Sequence, residues 1–309
     1  MPLLTINHVT TYRYARPVAF GEHSFMLRPR DGHDLRVISS ELSVSPRPAS
    51  LRYIHDVFGN SVALAEFDAR ADRLVVASRV VVEHFPVEEF ALEPDDEAYL
   101  YPFRYDDEEL PDLMSSISPS YSDPDGALAA WARGFLEPVD ATPTLNILIG
   151  MTHGIRRDFT YRKRYEHGTQ HPFDTLQTRS GTCRDFALLM VEALRRLGIA
   201  ARFVSGYLYV PRHNGSGHVG GGATHAWVRA YLPGVGWIEF DPTNGIVGSR
   251  DLIRVAVARD PGQAVPVHGT FFGPASAHLG MDVEISVESD EAESAALRPA
   301  TPRISTQGL

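Results

Sequence analysis

One amphipathic helix followed by three strands constrains the fold of this chain more than any other feature. Thr182 precedes Cys183, and Asp185 stands three positions after Thr182. This spacing is typical of a capping box, so it predicts Thr182 as the N-cap and Cys183 as the first helical residue. Gly198 follows the last turn, as glycine often does at a helix end. Apolar residues at helical spacing predict one buried face: Phe186, Leu189, Met190, Ala193, Leu194 and Leu197.

The segments after this helix predict strands that carry two polar residues of interest. Their sequences are ARFVSGYLYV, ATHAWVRAYL and GWIEFDPT. Because side chains alternate between the two faces of a strand, His225 and Trp227 share one face of the second strand while Ala226 and Val228 share the other. Asp241 lies near the end of the third strand. A helix that begins with Cys183 is thus followed by strands that offer a histidine and then an aspartate.

Residues 1–90 predict an all-β, sandwich-like domain. Short segments rich in β-branched and aromatic residues, such as TINHVTTYRY and ELSVSP, are separated by clusters of Pro, Gly and Asp. The segment LRYIHDVFGNSVALAEF predicts a hairpin that turns at Gly59 and Asn60, because turns of this kind favour residues that tolerate a positive φ. Together with the helix and strands near Cys183, this domain predicts an α+β fold.

The rest of the chain divides by composition. Residues 91–122 are acidic and contain prolines, which predicts a connecting segment or a solvated lid. Residues 123–290 form the predicted second domain, with helices beginning near Asp123 and Thr142 and with trailing strands at its end. Residues 291–309 have few bulky apolar side chains and predict a flexible tail.

Charge and hydropathy narrow the classes of partner. The chain has 39 acidic and 29 basic residues and a net charge of −10, which argues against nucleic acid because phosphates attract an excess of Lys and Arg. No apolar run reaches the length of about 20 residues that a membrane-spanning helix needs, so no membrane partner is expected. The first residues lack the pattern of a secretory signal, and one cysteine forms no internal disulfide. We therefore expect a cytoplasmic location.

The single cysteine is a candidate nucleophile because of its position. The first turn of a helix presents free backbone N–H groups and the positive end of the helix dipole, and both favour thiolate over thiol. The same N–H groups can donate hydrogen bonds to an oxyanion. His225, at the start of its strand, can take the thiol proton, and Asp241 can orient the imidazole. Taken one at a time, each residue also fits a structural role: a buried thiol, an ordinary histidine and a turn aspartate.

The sequence blocks around these residues resemble the bacterial transglutaminase-like superfamily of cysteine proteases. The blocks are GTCRDFALLMVEALRRLGIAARFVSGYL and THAWVRAYLPGVGWIEFDPTNG. In that family, the Cys of a G-[ST]-C-x-[DE] block, the His of HAW and the Asp of an FDPT block form a catalytic triad, and these positions match Cys183, His225 and Asp241. The segments YRYARPVAFGEHSFMLRPR and DVFGN also resemble the β domain that precedes this core in one bacterial subfamily.

The resemblance implies a papain-like core, with the cysteine helix packed on an antiparallel sheet, and a thioester intermediate that needs no cofactor and no metal. It implies a peptide or protein amide substrate, and a functional link to peptide-ligase-like proteins. We expect hydrolysis; a crosslinking transglutaminase and a non-enzymatic peptide-binding module are the alternatives. Arg229 departs from the family, because many relatives carry an acidic residue there, and ARDPGQAVPVHG is a loosened form of the usual block.

Several other residues are secondary candidates. Tyr161 and Gln177 are candidates for a second oxyanion donor. Asp185 is expected to oppose thiolate formation, and Arg184 to offset it. In one weaker hypothesis, Trp227 and Trp237 form walls of the cleft. In another, a metal is bound by His213, His218 and His225.

Overall fold

The computed structural model describes residues 3–86, 92–138, 141–164, 168–210 and 222–290, and it has an α+β fold. The strands are β1 (Leu3–Arg28), β2 (Leu35–Ser45), β3 (Ser50–His55), β4 (Ser61–Glu66), β5 (Arg70–His84), β6 (Leu100–Tyr101), β7 (Thr142–Pro143), β8 (Thr160–Tyr161), β9 (Ser180–Gly181), β10 (Ala201–Leu208), β11 (His225–Leu232), β12 (Gly236–Asp241), β13 (Ile246–Val247), β14 (Leu252–Ala258), β15 (Val267–Phe272) and β16 (His278–Ser289). The helices are α1 (Asp96–Tyr99), α2 (Leu110–Ile117), α3 (Ala127–Arg133), α4 (Thr144–Asp158), α5 (Pro172–Thr178) and α6 (Cys183–Arg196).

The N-terminal domain is a seven-stranded sheet built around the long strand β1. The strand order is β2-β5-β1-β4-β3, and all the pairings are antiparallel. The expected hairpin is confirmed, since β3 and β4 pair through a turn in which Gly59 has a φ of 74°. Alternate residues of β1 are buried, among them Leu4, Ile6 and Phe25.

The last two strands lie in a different sheet from the one that the sequence suggested. We expected the strands at the end of residues 123–290 to belong to the second domain, but β15 and β16 both pair antiparallel with β1 of the N-terminal sheet. The β16 register runs from Leu4 opposite Ser289 to Tyr14 opposite His278. A strand of 26 residues offers two long edges for pairing. Because the alternation of side chains identifies a strand without identifying its partner, the sequence alone left this pairing undetermined.

The second domain packs α6 on a five-stranded antiparallel sheet with the order β13-β12-β11-β10-β14. The helix begins at Cys183 and is closed by Gly198, whose φ is 76°. Both features match the sequence-based prediction. The apolar face of α6 meets one face of the sheet, and the shared core includes Leu189, Ala193, Phe203, Val228 and Phe240. This packing fixes the N-terminus of α6 relative to the ends of β11 and β12.

The acidic segment between the domains packs against the second domain, which differs from the solvated lid or simple connection that its composition suggested. It contains α1 and α2, and its apolar residues Tyr105 and Leu113 are buried. The Tyr105 hydroxyl donates to the carbonyl of Tyr231 at 3.0 Å and accepts from the N–H of Ala200 at 2.8 Å. The acidic side chains dominate the composition, but the few apolar ones attach the segment to the second domain. The expected tail, residues 291–309, lies outside the described residues.

Two helices begin a few residues later than predicted. Asp123 accepts hydrogen bonds from the N–H groups of Leu128 and Ala129, but α3 starts only at Ala127 because Gly126 has a φ of 65°. Thr142 and Pro143 form strand β7, and α4 begins at Thr144. The sequence therefore predicts that both helices exist, but each helix begins later in the chain than its start signal.

Candidate active site

The start of α6 holds Cys183 in a rigid and largely buried position, where its exposed fraction is 6%. Asp185 Oδ2 accepts hydrogen bonds from the N–H of Thr182 at 2.8 Å and from its hydroxyl at 2.9 Å, which is the carboxylate part of a capping box. Gly181 precedes this cap, and a Cβ atom there would lie 2.8 Å from Asp185 Cβ. The sequence Gly-Thr-Cys-x-Asp is therefore a steric and hydrogen-bonding unit that presents the thiol at the helix end.

The charge of Asp185 is balanced by Arg164. The guanidinium donates to both carboxylate oxygens, from Nε at 3.0 Å and from Nη2 at 3.1 Å, and the Asp185 side chain is fully buried. The sequence analysis expected Arg184 to offset the effect of Asp185 on the thiol. Burial lowers the pKa of Arg184, while the charges of Cys183 and Asp185 act in the opposite direction, so Arg184 lies within the electrostatic reach of both. Its guanidinium lies over the ring of Phe203 at 5.1 Å and donates to the carbonyl of Pro261. The distance in sequence between Arg164 and Asp185 hid this pair from the motif analysis.

His225 and Asp241 form a buried hydrogen-bonded pair. His225 Nε2 lies 2.8 Å from Asp241 Oδ2, and the exposed fractions of the two residues are 1% and 0%. The second ring nitrogen of His225, Nδ1, is buried without a hydrogen-bond partner among the described residues. Because Asp241 occupies Nε2, Nδ1 is the nitrogen that remains available to the Cys183 thiol.

Electrostatics favours the charged form of both partners. Burial alone would lower the pKa of His225, but the charge and hydrogen bond of Asp241, followed by the Cys183 side chain, outweigh it and raise the pKa above its ordinary value of 6.5. Burial alone would raise the pKa of Asp241, but His225, Asn244 and the N–H of Thr243 outweigh it and hold the pKa below 3.8. An imidazolium beside the thiol is therefore a stable state of this site.

Asn244 is a residue of the site that the sequence analysis missed. Its Nδ2 donates to Asp241 Oδ2 at 2.8 Å and lies 3.4 Å from His225 Nε2. The N–H of Thr243 donates to the other carboxylate oxygen, Oδ1, at 2.8 Å. Both residues belong to the block FDPTNG, which begins with the last two residues of β12. The turn thus holds the Asp241 carboxylate in one orientation. The signal that could have found Asn244 was its place two residues after a proline, in a turn that must fold back on the aspartate.

Tyr161 lies next to Cys183 through the short parallel pairing of β8 with β9. Tyr161 pairs with Gly181, two residues before the cysteine, and its ring meets Phe186 edge-on with centroids 6.4 Å apart. Burial, followed by the charges of Cys183 and Asp185, raises the pKa of Tyr161 to about 12. Its hydroxyl therefore stays protonated near neutral pH and can donate a hydrogen bond. Gln177, the other candidate donor, is exposed on α5.

Trp227 and Trp237, the two candidates for walls of the cleft, do not play the same part. Trp227 is fully buried and stacks on the His225 ring, with centroids 6.0 Å apart and an interplanar angle of 28°. Gly206 lies opposite His225 in the sheet, and a Cβ atom there would come within 2.5 Å of the Trp227 ring. Trp237 instead holds the guanidinium of Arg202 over its ring at 4.1 Å. Trp227 is therefore a wall for the imidazole and not a wall of an open cleft.

The metal hypothesis finds no ligand set within the part of the chain that the structure describes. No group of three or more His, Cys, Asp or Glu side chains in these residues is placed to hold a metal ion. His213 and His218, together with most of the glycine-rich loop before His225, lie outside the described residues. The same described ranges contain no helix that is both long enough and apolar enough to cross a membrane.

Two protein families match this sequence. Residues 4–83 match the bacterial transglutaminase-like N-terminal region, and residues 140–242 match the transglutaminase-like superfamily. The second match contains Cys183, His225 and Asp241.

Proteins of similar sequence include two from mycobacteria. The uncharacterized protein ML0607 of Mycobacterium leprae is 27% identical over 299 residues, covering 92% of this chain and 98% of the relative. The uncharacterized protein Rv2569c of Mycobacterium tuberculosis is 27% identical over 296 residues and covers 91% of each chain. A protein-glutamine gamma-glutamyltransferase of Pseudomonas aeruginosa is 37% identical over 75 residues, covering 24% of this chain and 11% of that protein.

Among solved structures, a candidate cysteine protease from Cytophaga hutchinsonii has the same fold. The two chains superpose with a TM-score of 0.68 at 22% sequence identity, and the match covers 93% of this chain and 91% of the other. The arrangement of the N-terminal sheet with the helix-on-sheet core therefore recurs in an experimental structure.

Proposed function

This chain belongs to the bacterial transglutaminase-like superfamily, and from that premise we propose that it is a cysteine-dependent amide hydrolase in which Cys183, His225 and Asp241 form the catalytic triad. The observation that carries the proposal is the buried 2.8 Å bond between His225 Nε2 and Asp241 Oδ2, which leaves Nδ1 for the thiol at the start of α6. This arrangement suits a thiolate nucleophile, because the imidazolium that forms beside it is stabilised by a carboxylate.

The first half of the reaction forms a thioester. The Cys183 proton passes to His225 Nδ1, and the thiolate attacks the amide carbon to give a tetrahedral oxyanion. The backbone N–H of Cys183, at the N-terminus of α6, is one donor to this oxyanion, and the Tyr161 hydroxyl is the second. The Nδ1–H of His225 then protonates the leaving nitrogen, the C–N bond breaks, and the amine departs while the acyl group stays on the sulfur.

The second half releases the acid. Water approaches the thioester, His225 Nδ1 takes one of its protons, and the resulting oxyanion occupies the same donors. When the C–S bond breaks, the carboxylic acid leaves and the sulfur departs as thiolate beside the imidazolium. Asp241 stays ionised throughout, because its task is to hold the ring and to stabilise its charge. We propose a peptide or isopeptide-like bond as the substrate.

Transamidation is the second candidate, because 75 residues of this chain are 37% identical to a protein-glutamine gamma-glutamyltransferase. In that reaction a primary amine replaces water as the acyl acceptor. Both reactions share the thioester, so the triad does not separate them. The discriminating property is how well water is kept from the thioester while an amine enters.

The test measures both products in one assay. The protein is incubated with dimethylated casein and with a panel of isopeptide-linked and ordinary peptides, in the absence and presence of a fluorescent primary amine at millimolar concentration. We expect new carboxyl groups to exceed incorporated amine, and Cys183→Ala to remove both. Amide product exceeding acid product would contradict the hydrolase proposal and favour the transglutaminase. Equal activity of the Cys183→Ala variant would contradict both. A protein that binds these peptides without converting them would instead be the binding module.

A further inference from the structure

Residues 56–60, the DVFGN turn between β3 and β4 of the N-terminal domain, are held in one conformation by hydrogen bonds. Asp56 Oδ1 accepts hydrogen bonds from the N–H groups of Phe58 at 2.9 Å and Asn60 at 2.8 Å. Asp56 Oδ2 accepts a third from Asn60 Nδ2, at 2.9 Å. Gly59 takes the positive φ that closes the turn, and Arg30 Nη1 donates to the carbonyl of Phe58 at 3.1 Å. The sequence DVFGN therefore specifies one conformation of this turn.

The DVFGN turn is attached to the second domain by the side chain of Asn60. Asn60 Nδ2 donates to the carbonyl of Val257 at 2.7 Å, and Asn60 Oδ1 accepts from the N–H of Val257 at 2.9 Å. Asn60 is 1% exposed, so both bonds are shielded from water. The two bonds use the donor and the acceptor of one amide against one backbone residue of β14. An asparagine fits this double contact, whereas an aspartate would face the Val257 carbonyl with a second acceptor.

Phe58 carries the contact further toward the catalytic histidine. Its ring packs against a buried cluster that contains Val204, Trp227 and Val257. Trp227 in turn stacks on His225 with ring centroids 6.0 Å apart. Gly206 leaves the space that the indole occupies, since a Cβ atom there would lie 2.5 Å from the Trp227 ring, and it also allows β14 to approach, since the same Cβ would lie 2.2 Å from the carbonyl oxygen of Ile253. Phe58 thus packs against the same buried cluster as Trp227, and Trp227 is the member of that cluster that stacks on the imidazole.

We propose that Phe58 and Asn60 of the N-terminal domain are positioning residues for His225. Phe58 packs against the cluster that contains Trp227, and Asn60 fixes the edge strand β14, whose Val257 belongs to the same cluster. The imidazole then keeps the orientation in which Nε2 meets Asp241 and Nδ1 is left for the thiol. This inference rests on the proposed role of His225 as the base, and it gives the N-terminal domain a part in the reaction.

The test uses the reactivity of Cys183 toward iodoacetamide as a function of pH, which needs no substrate. Phe58→Ala and Asn60→Asp are compared with Val57→Ala, a control in the same turn whose side chain is 91% exposed. All rates are measured well below the unfolding midpoint of each variant, on protein shown to be folded. Because small misplacements of reacting groups cost up to about 100-fold in rate, we expect Phe58→Ala to lower the alkylation rate near neutral pH by about tenfold and to change its pH profile. Phe58→Leu should restore most of the rate, and Val57→Ala should match the wild type.

The outcomes separate this inference from the proposed function. If Phe58→Ala and Asn60→Asp lower the unfolding midpoint but leave the alkylation rate and its pH profile unchanged, the two residues are structural and the inference is wrong. His225→Ala is measured in parallel. If that variant leaves the alkylation rate of Cys183 unchanged, the proposed base is wrong and the inference falls with it. If Phe58→Ala does not fold, Phe58→Leu and Asn60→Asp carry the comparison, with an expected rate between those of wild type and His225→Ala.

Discussion

The two faces of the five-stranded sheet are built from different materials. On one face, Ala226, Val228 and Ala230 of β11 join the apolar core with α6. On the other face, Arg229 and Glu239 form an ion pair at 3.0 Å. Arg254 extends this network by bonding to Glu239 and, at 2.9 Å, to Asp34 of the N-terminal domain. The body of α6, which begins at Cys183, is held by the apolar face, whereas the surroundings of His225 and Asp241 depend on polar and aromatic contacts.

This difference separates two ways of positioning the residues of the proposed triad. The helix that begins at Cys183 is held by buried apolar surface, and many substitutions of similar volume preserve such packing. The hydrogen bonds of Asp241 are directional, so small changes there alter an orientation and not only a volume. The ion pairs of the polar face add little net stability, because the cost of removing charges from water offsets much of their attraction. We therefore expect substitutions on the polar face to change mainly catalysis, and substitutions on the apolar face to change mainly stability.

The largest effect is expected where a polar contact is replaced without a change of shape. Asp241→Asn should leave the fold intact but lower kcat by about one to four orders of magnitude, because the imidazolium loses its carboxylate. The measurement is kcat on a substrate from the peptide panel, with circular dichroism as the check on folding. Asp158→Asn, which makes the same change at an exposed position, is the control. Unchanged activity of Asp241→Asn would remove the distinction between the two faces and direct attention to Glu239.

A smaller effect is expected at the proposed second oxyanion donor. Tyr161→Phe removes one hydroxyl beside Cys183 and should lower kcat by roughly 10-fold to 100-fold, because the oxyanion loses one of its donors. The value of KM should change little, and Tyr99→Phe, at a side chain 55% exposed, is the control. If Tyr161→Phe raised KM and left kcat unchanged, the hydroxyl would be a substrate-binding group and not an oxyanion donor.

On the apolar face, a substitution should change stability and leave reactivity alone. Leu189 is fully buried against the sheet, so Leu189→Ala should lower the free energy of unfolding by about 2–5 kcal/mol. The alkylation rate of Cys183 per folded molecule should equal that of the wild type. Leu279→Ala, at a side chain 66% exposed, should change neither quantity. A large loss of Cys183 reactivity in folded Leu189→Ala protein would show that the apolar face also tunes the chemistry.

The smallest effect concerns the pH dependence of stability. The pKa of His225 is raised above 6.5 by folding, so its contribution is fully present below pH 6.5 and is lost as the pH rises to the raised value. The pKa of Asp241 is lowered below 3.8, so its contribution is present above pH 3.8 and is lost as the pH falls further. The unfolding free energies of wild type and Asp241→Asn should therefore differ most between pH 3.8 and 6.5. A difference that is constant from pH 4 to 9 would contradict the charged pair.

The sequence predicted the part of the site that local signals specify. The capping residues of α6, the helix end at Gly198 and the strands of His225 and Asp241 follow from spacing and alternation over a few residues. The structure brings His225 and Asp241 into contact, as the triad hypothesis requires. The resemblance to a known family joined these residues to Cys183, and the catalytic roles themselves remain a proposal.

The remaining features depend on contacts between distant parts of the chain. Arg164 pairs with Asp185, which is 21 residues away, and Asn60 binds Val257, which is 197 residues away. Strand β16 pairs with β1 across a still longer separation. A single sequence records no partner for such residues. The block DVFGN is visible in the sequence, but the packing of Phe58 against the cluster that contains Trp227 is not, because it joins distant segments of the chain.

The measurement that tests the central claim most directly is the pH dependence of Cys183 alkylation in the wild type and in His225→Ala. A thiolate paired with an imidazolium reacts at pH values well below the value of about 8.5 at which a free cysteine titrates. We predict that the wild-type rate persists into this acidic range and that His225→Ala loses the reactivity there, while its rate at high pH approaches that of the wild type. A wild-type profile that follows a free cysteine, and that His225→Ala leaves unchanged, would contradict the account.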